Sequence, residues 1–599
     1  MSYTIDFQPV GRRGPCPEGG TLLDAARALG VDLASVCGGY GTCGRCRVQI
    51  VSGQATPVTS REKEELSPVE LAQGYRLACL VEPLSDCRVH VPPESLTALQ
   101  RTQVEGLEVP VEVQPSVVAC AVEMAPPSLE DLRADDERLG EALAAAGIDG
   151  ALIPDLEVAR LASTELRRWG WQARVTLRDH EIVHLTADGT PWLGLAVDMG
   201  TTKIAAYVVD LATGQTLARR GAMNPQIAYG EDVVARLVYA SRGPDEAVRL
   251  QALLADGLNQ LAAGACAEIG AHTTDVVDAV VVGNTAMHHL LLRLPVKQLA
   301  TAPYVPAVRR AVDVRARDIG LTLAPGAYLH LLPNIAGYVG ADHVAMLLAT
   351  GLAERADTVL AIDIGTNTEI CLAHQGQMAS LSCASGPAFE GAHIKFGMRA
   401  APGAIERVRF VDGGVEYKTI GDEPPVGLCG SGLLDVVAEL RRAELLDAKG
   451  RLRGAGIREA EGIHEFVIAD VGESANDRAI TVTQQDVREL QLAKGAIRSG
   501  IEALLHDAEI AAGDLDQVII AGAFGTYIDV ESAMTIGLLP RLPLERVSQV
   551  GNAAGTGARL ALISRVQRRQ AQALARRVRY IELARTPRFA RNYAEAMYF

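Results

Sequence analysis

Aromatic residues are scarce in this chain: Phe, Trp and Tyr make up 4% of 599 residues, with three Trp in all. Its cores must therefore be aliphatic, filled by Ala, Leu and Val. No run of 18 or more apolar residues occurs, which excludes an ordinary membrane-spanning helix. The opening MSYTIDFQPVGRRG lacks the apolar stretch of a secretion signal, so we expect a cytoplasmic protein with no membrane partner. Positive charge is also in deficit. There are 57 Lys and Arg against 73 Asp and Glu, a formal charge of −16, and such a field repels phosphate backbones and anionic lipid. Nucleic acid is not an expected partner. The phosphate loop GxxxxGK(S/T) is missing too, so any nucleotide chemistry must use another framework.

What remains is globular: 48% hydrophobic and 22% charged, with 58 Gly and 28 Pro, which excludes a coiled coil, a collagen and a mostly disordered chain. At about 150 residues per domain the length predicts several cores, roughly four. Eleven cysteines in a reducing compartment argue for metal ligation or burial rather than disulfides. Six of them (Cys16, Cys37, Cys43, Cys46, Cys79 and Cys87) precede Gln100, which places a metal site in the first hundred residues.

Residues 1–93 alternate short strand-like pieces (YTIDFQPV, RCRVQIVSG, CRVHVPP) around one helical stretch, TLLDAARALGV, with Leu22, Leu23, Ala26 and Leu29 on one face. That is a small α+β unit. Residues 94–113 follow neither period and read as a linker, and 114–190 as a small middle domain with helices around 131–146 and 156–169. From 191 to 599 strands and helices alternate, the pattern of α/β architecture. This region repeats itself. GLAVDMGTTKIAAYVVD (194–210) and VLAIDIGTNTEICLA (359–373) are both an apolar strand ending in Asp, a Gly-Thr turn and a second strand. DAVVVGN (278–284) and DQVIIAG (516–522) form a second matched pair in the same order. Two halves, about 191–345 and 346–599, are predicted, with a cleft between them.

CGGYGTCGRC sets Cys37, Cys43 and Cys46 at x5 and x2 spacing, and Cys79 follows after 32 residues. Three thiolates on one loop must wrap a small object, and Gly38, Gly39, Gly41 and Gly44 let the backbone turn and point N–H groups at sulfur. Four thiolates without a second CxxC fit a [2Fe–2S] cluster better than zinc, whose all-cysteine sites usually come as two CxxC knuckles. Cys16 and Cys87 fall outside the motif and are expected to be buried. The unit resembles a plant- or adrenodoxin-type ferredoxin, its x5 spacing nearer the latter.

Asp198 in VDMGTT and Asp363 in IDIGTNTE each end a strand immediately before a Gly-Thr turn. The turn's N–H and hydroxyl groups can cradle phosphate oxygens while carboxylates facing the cleft hold a hydrated Mg²⁺. IIAGAFG (519–525) adds a strand-to-glycine turn against which an adenosine could lie flat. The combination resembles the superfamily of acetate and sugar kinases, Hsp70 and actin, in which two RNase H-like halves close on ATP. The resemblance implies that Gly200, Thr201 and Thr202 form the first phosphate turn, Gly365, Thr366 and Asn367 the second, and Gly522, Ala523 and Gly525 the adenosine turn. Asp198 and Asp363 are then the candidate catalytic carboxylates, with Glu369 in reach of a metal-bound water. Gly430, Ser431 and Gly432, which open a helix, make a further anion-suited N-terminus. Lys494 and Arg498 share a helix face and are expected to be solvated.

The whole order of ferredoxin, linker, middle domain and duplicated ATPase resembles the reductive activators of corrinoid proteins. NPQIAYGEDVVAR (224–236), VVGNTAMHHLLL (281–292), LPNIAGYVGAD (332–342) and SGPAFEGAHIKFGMRAAPGAI (385–405) carry that likeness over nearly the full length. It implies ATP-dependent transfer of one electron from the cluster to Co(II) of a partner corrinoid protein, regenerating Co(I) for a methyltransferase system. Plant-type clusters sit near about −400 mV and each ~59 mV uphill loses tenfold in equilibrium constant, so a harder acceptor needs a coupling device. The implied partners are the corrinoid protein, an external low-potential electron donor and a second copy in a homodimer. No DxHxxG motif is present, so cobalamin is expected to belong to the partner. His288 and His289 are expected to be one packed and one exposed ring at a helix start. The nine arginines of the last forty residues are expected on a solvated helix and tail, with a docking patch for an acidic partner as the sharper reading. Three other functions stay open: activation of a different low-potential enzyme, a small-molecule kinase with a redox-sensing cluster, and an Hsp70-like remodelling module.

Overall fold

The computed structural model describes residues 3–599 apart from 9–11, 18, 30, 32, 36, 93–94, 96–105, 149–152, 231, 392, 412–413, 461, 476–477 and 587–588. Its N-terminal sheet runs Arg12–Pro15, Thr4–Gln8, Cys87–His90, Arg47–Ser52, Tyr75–Leu77. The first and last strands of the unit lie parallel, Ile5 opposite Cys87, as in a β-grasp fold. Helix Leu22–Ala28 begins at Thr21, whose hydroxyl accepts from the Asp24 N–H while the Asp24 carboxylate accepts from the Thr21 N–H. Leu22, Leu23, Ala25 and Ala26 are buried on the sheet, with Leu29 at the edge of the same core. Cys16 and Cys87 are buried there, as their position outside the motif implied.

A second sheet, Val118–Glu123, Gln172–Arg178, Glu181–Thr186, Ile153–Pro154, carries helices Asp135–Ala145 and Leu156–Arg168, close to the two expected. Residues 96–105 of the expected linker lie outside the described residues, and the chain beyond them is tied down. The Leu107 carbonyl accepts from Thr556 Oγ1 at 3.1 Å and from Arg559 Nη2 at 3.0 Å.

The two six-stranded sheets are built alike. Leu193–Met199, Lys203–Asp210 and Thr216–Met223 meander antiparallel, and Val276–Val282 then Tyr328–Leu331 extend the sheet in parallel from the other side of Leu193–Met199. Val359–Ile364, Thr368–His374, Gln377–Cys383, Gln517–Ala521 and Val547–Gly551 repeat that order. Leu193–Met199 and Val359–Ile364 are covered on both faces, and the one residue of each that is not fully buried is its Asp. The expected duplication is therefore a duplication of topology. Spatially, though, the chain returns: helix Ala553–Ile563 packs on helix Ala341–Ala349 and on strand Leu193–Met199, within the core of the first lobe.

Three expectations about polar side chains are corrected. His288 and His289 are both buried, because helix Thr285–Leu291 is enclosed on every side rather than amphipathic. Lys494 is buried, not solvated: its ammonium donates to the Tyr598 carbonyl and lies 5.2 Å from the centre of the Phe599 ring, while Arg498 pairs with Glu502 at 2.6 Å. Arg568, on helix Arg565–Arg577, is buried as well, donating to the Ala561 carbonyl and to the Asp278 carboxylate. Removing one partner of such a buried pair strands the other and costs about 3–5 kcal/mol.

Candidate functional sites: a thiol loop and an interlobe cleft

The thiol loop is shaped by glycine. Gly38, Gly39, Gly41 and Gly44 all take positive φ (68°, 100°, 72° and 61°), which other residues enter only with strain. Cys37 Sγ lies 3.4 Å from Cys43 Sγ, and Cys46 neighbours Cys79 on the turn Ala78–Leu80. The base of the loop is braced by a buried ion pair, Arg76 Nε to Glu62 Oε1 at 2.8 Å, whose carboxylate also accepts from the Leu77 N–H at 3.2 Å. Crowding polarises the thiols. Hydrogen bonds from Cys43, then Cys79, hold Cys37 far below the usual thiol range, and the same contacts push Cys43 and Cys79 up. Among the described residues no three His, Cys, Asp or Glu side chains already surround a single ion, and the sulfur contacts run as a chain, Cys43 to Cys37 to Cys79 to Cys46.

Between the lobes lies a cavity of about 230 Å³. Asp198, Gly200, Thr201 and Thr202 face Asp363, Gly365, Thr366 and Asn367 across it, with Gly522, Gly430 and Ser431 further along. The turns are fastened from outside. Asn224 Nδ2 donates to the Gly200 carbonyl at 2.9 Å, and Asn284 Nδ2 donates to Thr201 Oγ1 at 2.8 Å while its Oδ1 caps helix Thr285–Leu291. Asn552, N-cap of helix Ala553–Ile563, does the same for Asp198, with Nδ2 2.9 Å from Oδ2. Gly522, at φ 88°, passes so close that a Cβ would sit 2.5 Å from Asp363 Oδ1, which excludes any side chain there. Gly432 and Gly525 turn toward protein instead, against the Ile405 carbonyl and the Ile520 side chain, and Ala523 contributes backbone to the short helix Gly522–Gly525.

Four carboxylates line the cleft from its two lobes: Asp198, Asp342, Asp363 and Glu369. Each touches the cleft but is otherwise walled by protein. Burial pushes Asp198 up to about 6, burial with the charge of Asp198 pushes Asp363 to about 7, and burial with the charge of Asp363 pushes Asp342 to about 8. Glu369, in register with Asp363 on the adjacent strand and accepting from Ser382 Oγ at 3.0 Å, is raised well above the usual range by burial and then by Asp342 and Asp363.

Four family descriptions match the chain in order: the 2Fe-2S iron-sulfur cluster binding domain over 5–84, the RACo linker region over 106–190, the RACo middle region over 193–355, and the C-terminal domain of RACo, the ASKHA domain, over 357–599. The corrinoid activation enzyme RamQ of Eubacterium limosum is 32% identical over 587 residues, covering 96% of this chain and 95% of that one. The chain belongs to the family of reductive activators of corrinoid proteins. A solved reductive activator for corrinoid,iron-sulfur protein, 35% identical, superposes over 100% of this chain and 98% of its own with a TM-score of 0.73. The [Co(II) methylated amine-specific corrinoid protein] reductase of Methanosarcina barkeri is 27% identical over 60% of this chain and 68% of its own. The expected fold class, a ferredoxin-type unit ahead of an actin- and Hsp70-like C-terminal region, is that of this family.

Several cleft residues of this activator were not singled out from sequence: Asp342, Asn552, Lys203, Glu390, Arg399 and the aromatic pair Phe389 and Phe524, whose rings stack at 4.5 Å. Asp342, Glu390, Phe389 and Asn552 lie in glycine-bounded stretches, GYVGAD, SGPAFEG and VGNAAG, and that punctuation was the available signal. Among the described residues no helix is long and apolar enough to cross a membrane.

Proposed function

We propose that this chain carries out ATP-dependent reductive activation of a partner corrinoid protein, delivering one electron from an external low-potential donor to Co(II) and regenerating Co(I) for methyl transfer. The observation that carries the reading is the union, in one chain related over its whole length to a corrinoid activation enzyme, of a four-thiol glycine loop with a two-lobed carboxylate-walled cleft. In this reading Cys37, Cys43, Cys46 and Cys79 would hold a [2Fe–2S] cluster, whose two irons take four cysteine thiolates. When bound, the cluster supplies one-electron chemistry at low potential. Thr201, Thr202, Thr366 and Asn367, with the N–H groups of Gly200 and Gly365, grip the nucleotide phosphates, and Gly522 and Phe524 flank adenosine. Gly430 and Ser431 at the N-terminus of helix Gly430–Arg442 offer N–H groups to an anion. Asp198 and Asp363 would hold a hydrated Mg²⁺, which supplies charge neutralisation for phosphoryl transfer, and Glu369 would accept a hydrogen bond from a metal-bound water.

The proof is anaerobic mixing of the reduced protein with Mg²⁺–ATP and a candidate corrinoid protein, following the cobalt spectrum. Co(I) should appear only with ATP. A phosphorylated small molecule, or ATP-stimulated binding with cobalt unchanged, would support the kinase or the remodelling reading instead.

The carboxylate wall makes nucleotide binding pH-dependent. In the nucleotide-free protein Asp363, at about 7, and Asp342, at about 8, hold protons at pH 7 that Mg²⁺ must displace, so Mg²⁺–nucleotide affinity rises from pH 6 to 8, by at most roughly tenfold per unit for each proton released. Stability runs the other way. The folded wall keeps protons that the unfolded chain has already lost, so the nucleotide-free protein weakens as pH climbs from about 4 toward 8. Calorimetric titration at pH 6, 7 and 8 checks the first statement, and an affinity flat across that range sinks it.

A further inference from the structure

The thiol loop faces the nucleotide lobes. Arg45, between Cys43 and Cys46, donates through Nη2 to the Gly391 carbonyl at 2.6 Å and through Nη1 to the Gly397 carbonyl at 3.1 Å. The Tyr40 hydroxyl meets the Arg242 guanidinium, and the Arg27 guanidinium stands 4.8 Å from the centre of the Tyr229 ring. Gly38 backs onto the Tyr229 carbonyl, 3.3 Å from where a Cβ would be. A partner protein therefore cannot approach this side of the loop while the contacts hold.

The grip on Arg45 is one residue from the cleft. Glu390, immediately before Gly391, places its carboxylate between the two phosphate turns: Oε1 accepts from Thr366 Oγ1 at 2.6 Å, and Oε1 and Oε2 lie 3.2 and 3.1 Å from Thr202 Oγ1. The two threonine hydroxyls are themselves 3.2 Å apart, and Arg399 Nε is 3.9 Å from Glu390 Oε2. One anion is thus held by a hydroxyl from each lobe, in a cavity that at about 230 Å³ is small for a nucleotide. The segment beyond is stiff. Gly391, at φ 79°, and Gly397 are in van der Waals contact, a Cβ on Gly397 falling 2.1 Å from the Gly391 carbonyl oxygen, so the two acceptors of Arg45 move together.

We propose that Glu390 occupies the place of the nucleotide's terminal phosphate, and that its displacement by that phosphate withdraws the Gly391 and Gly397 carbonyls from Arg45 and frees the thiol loop. The inference rests on the reading of the cleft as a nucleotide site. Two anions compete for the same pair of hydroxyls, and the loser is tethered to the ferredoxin-type unit. Nucleotide and docking are then coupled, and the coupling is reciprocal: whatever factor the nucleotide takes from docking, loss of docking returns to nucleotide affinity.

The test uses the full-length, cluster-loaded protein, small-angle X-ray scattering for docking, and calorimetry for binding of a non-hydrolysable ATP analogue and of ADP. In the native protein the analogue should increase the radius of gyration, and ADP, which lacks the terminal phosphate, should not. Arg45→Ala should be extended without nucleotide and bind the analogue more tightly, by roughly tenfold, with ADP affinity little changed. If Arg45→Ala fails to retain its cluster, Tyr40→Ala tests docking of the same loop through its other contact, to Arg242, from a position further from the ligands. An extended variant that binds the analogue no more tightly than the native protein overturns the inference while leaving the nucleotide site standing, and so does a native protein that binds the analogue yet stays compact. A native protein that binds no adenine nucleotide overturns both.

Discussion

A Cys43→Ser protein should lose its rhombic [2Fe–2S] signal and all reduction of the corrinoid partner, while still hydrolysing ATP. A serine hydroxyl does not ionise in the range where a thiol does, so the substitution removes a ligand while keeping its size. Cys43 is in contact with Cys37, and its loss removes the end of the chain of thiol contacts that runs through Cys37 and Cys79 to Cys46. The core of this unit, which includes Cys46, Cys79 and Val48, is separate from the cores flanking the cleft, so the ATPase fold does not depend on it. Iron analysis, EPR and phosphate release on one preparation decide the matter. An unchanged signal would remove Cys43 from the ligand set.

Asp363→Asn should lower kcat for ATP hydrolysis by about 10²- to 10³-fold, equivalent to roughly 2.7–4 kcal/mol of lost transition-state stabilisation. The change is nearly isosteric, so little else should move. It also relieves a repulsion, since Asp363 sits among Asp198, Asp342 and Glu369 and each raises its neighbours' affinity for protons. The nucleotide-free variant should accordingly melt higher than the native protein at pH 8, the usual relation between a strained site and stability. Faster loss of structure together with normal turnover would show that this carboxylate is a packing residue. Thermal melting and steady-state hydrolysis, run side by side, separate the two.

The features legible in the sequence were the ones whose chemistry is written over a few consecutive residues. The thiol loop spells out its ligand spacing and its glycines within ten residues, and the strand-Asp-Gly-Thr units announce both their turns and their duplication. Groups assembled by the fold were not legible. Asn552 reaches Asp198 from 354 residues away, and nothing around either names the other. Lys494 sits on an amphipathic helix whose apparent outer face is covered by residues 597–599, over 100 positions later. His288 and His289 were read from helical phase, but phase assigns an exposed side only where a helix has one, and Thr285–Leu291 has none. Glu390 lies in sequence between Gly386 and Gly391 with no motif of its own, and only the closure of two lobes puts it between their threonines.

The helix Ala553–Ile563 imposes an order on biosynthesis. Strand Leu193–Met199 leaves the ribosome some 350 residues before the segment that covers it, at roughly 5–20 residues per second a delay of tens of seconds. During that interval the first lobe carries an open apolar face, exposed to chaperones and to other nascent chains. A stop codon after Gly551 would therefore strip the lobe translated first as well as the final one, whose sheet and long helix are covered by residues 579–599.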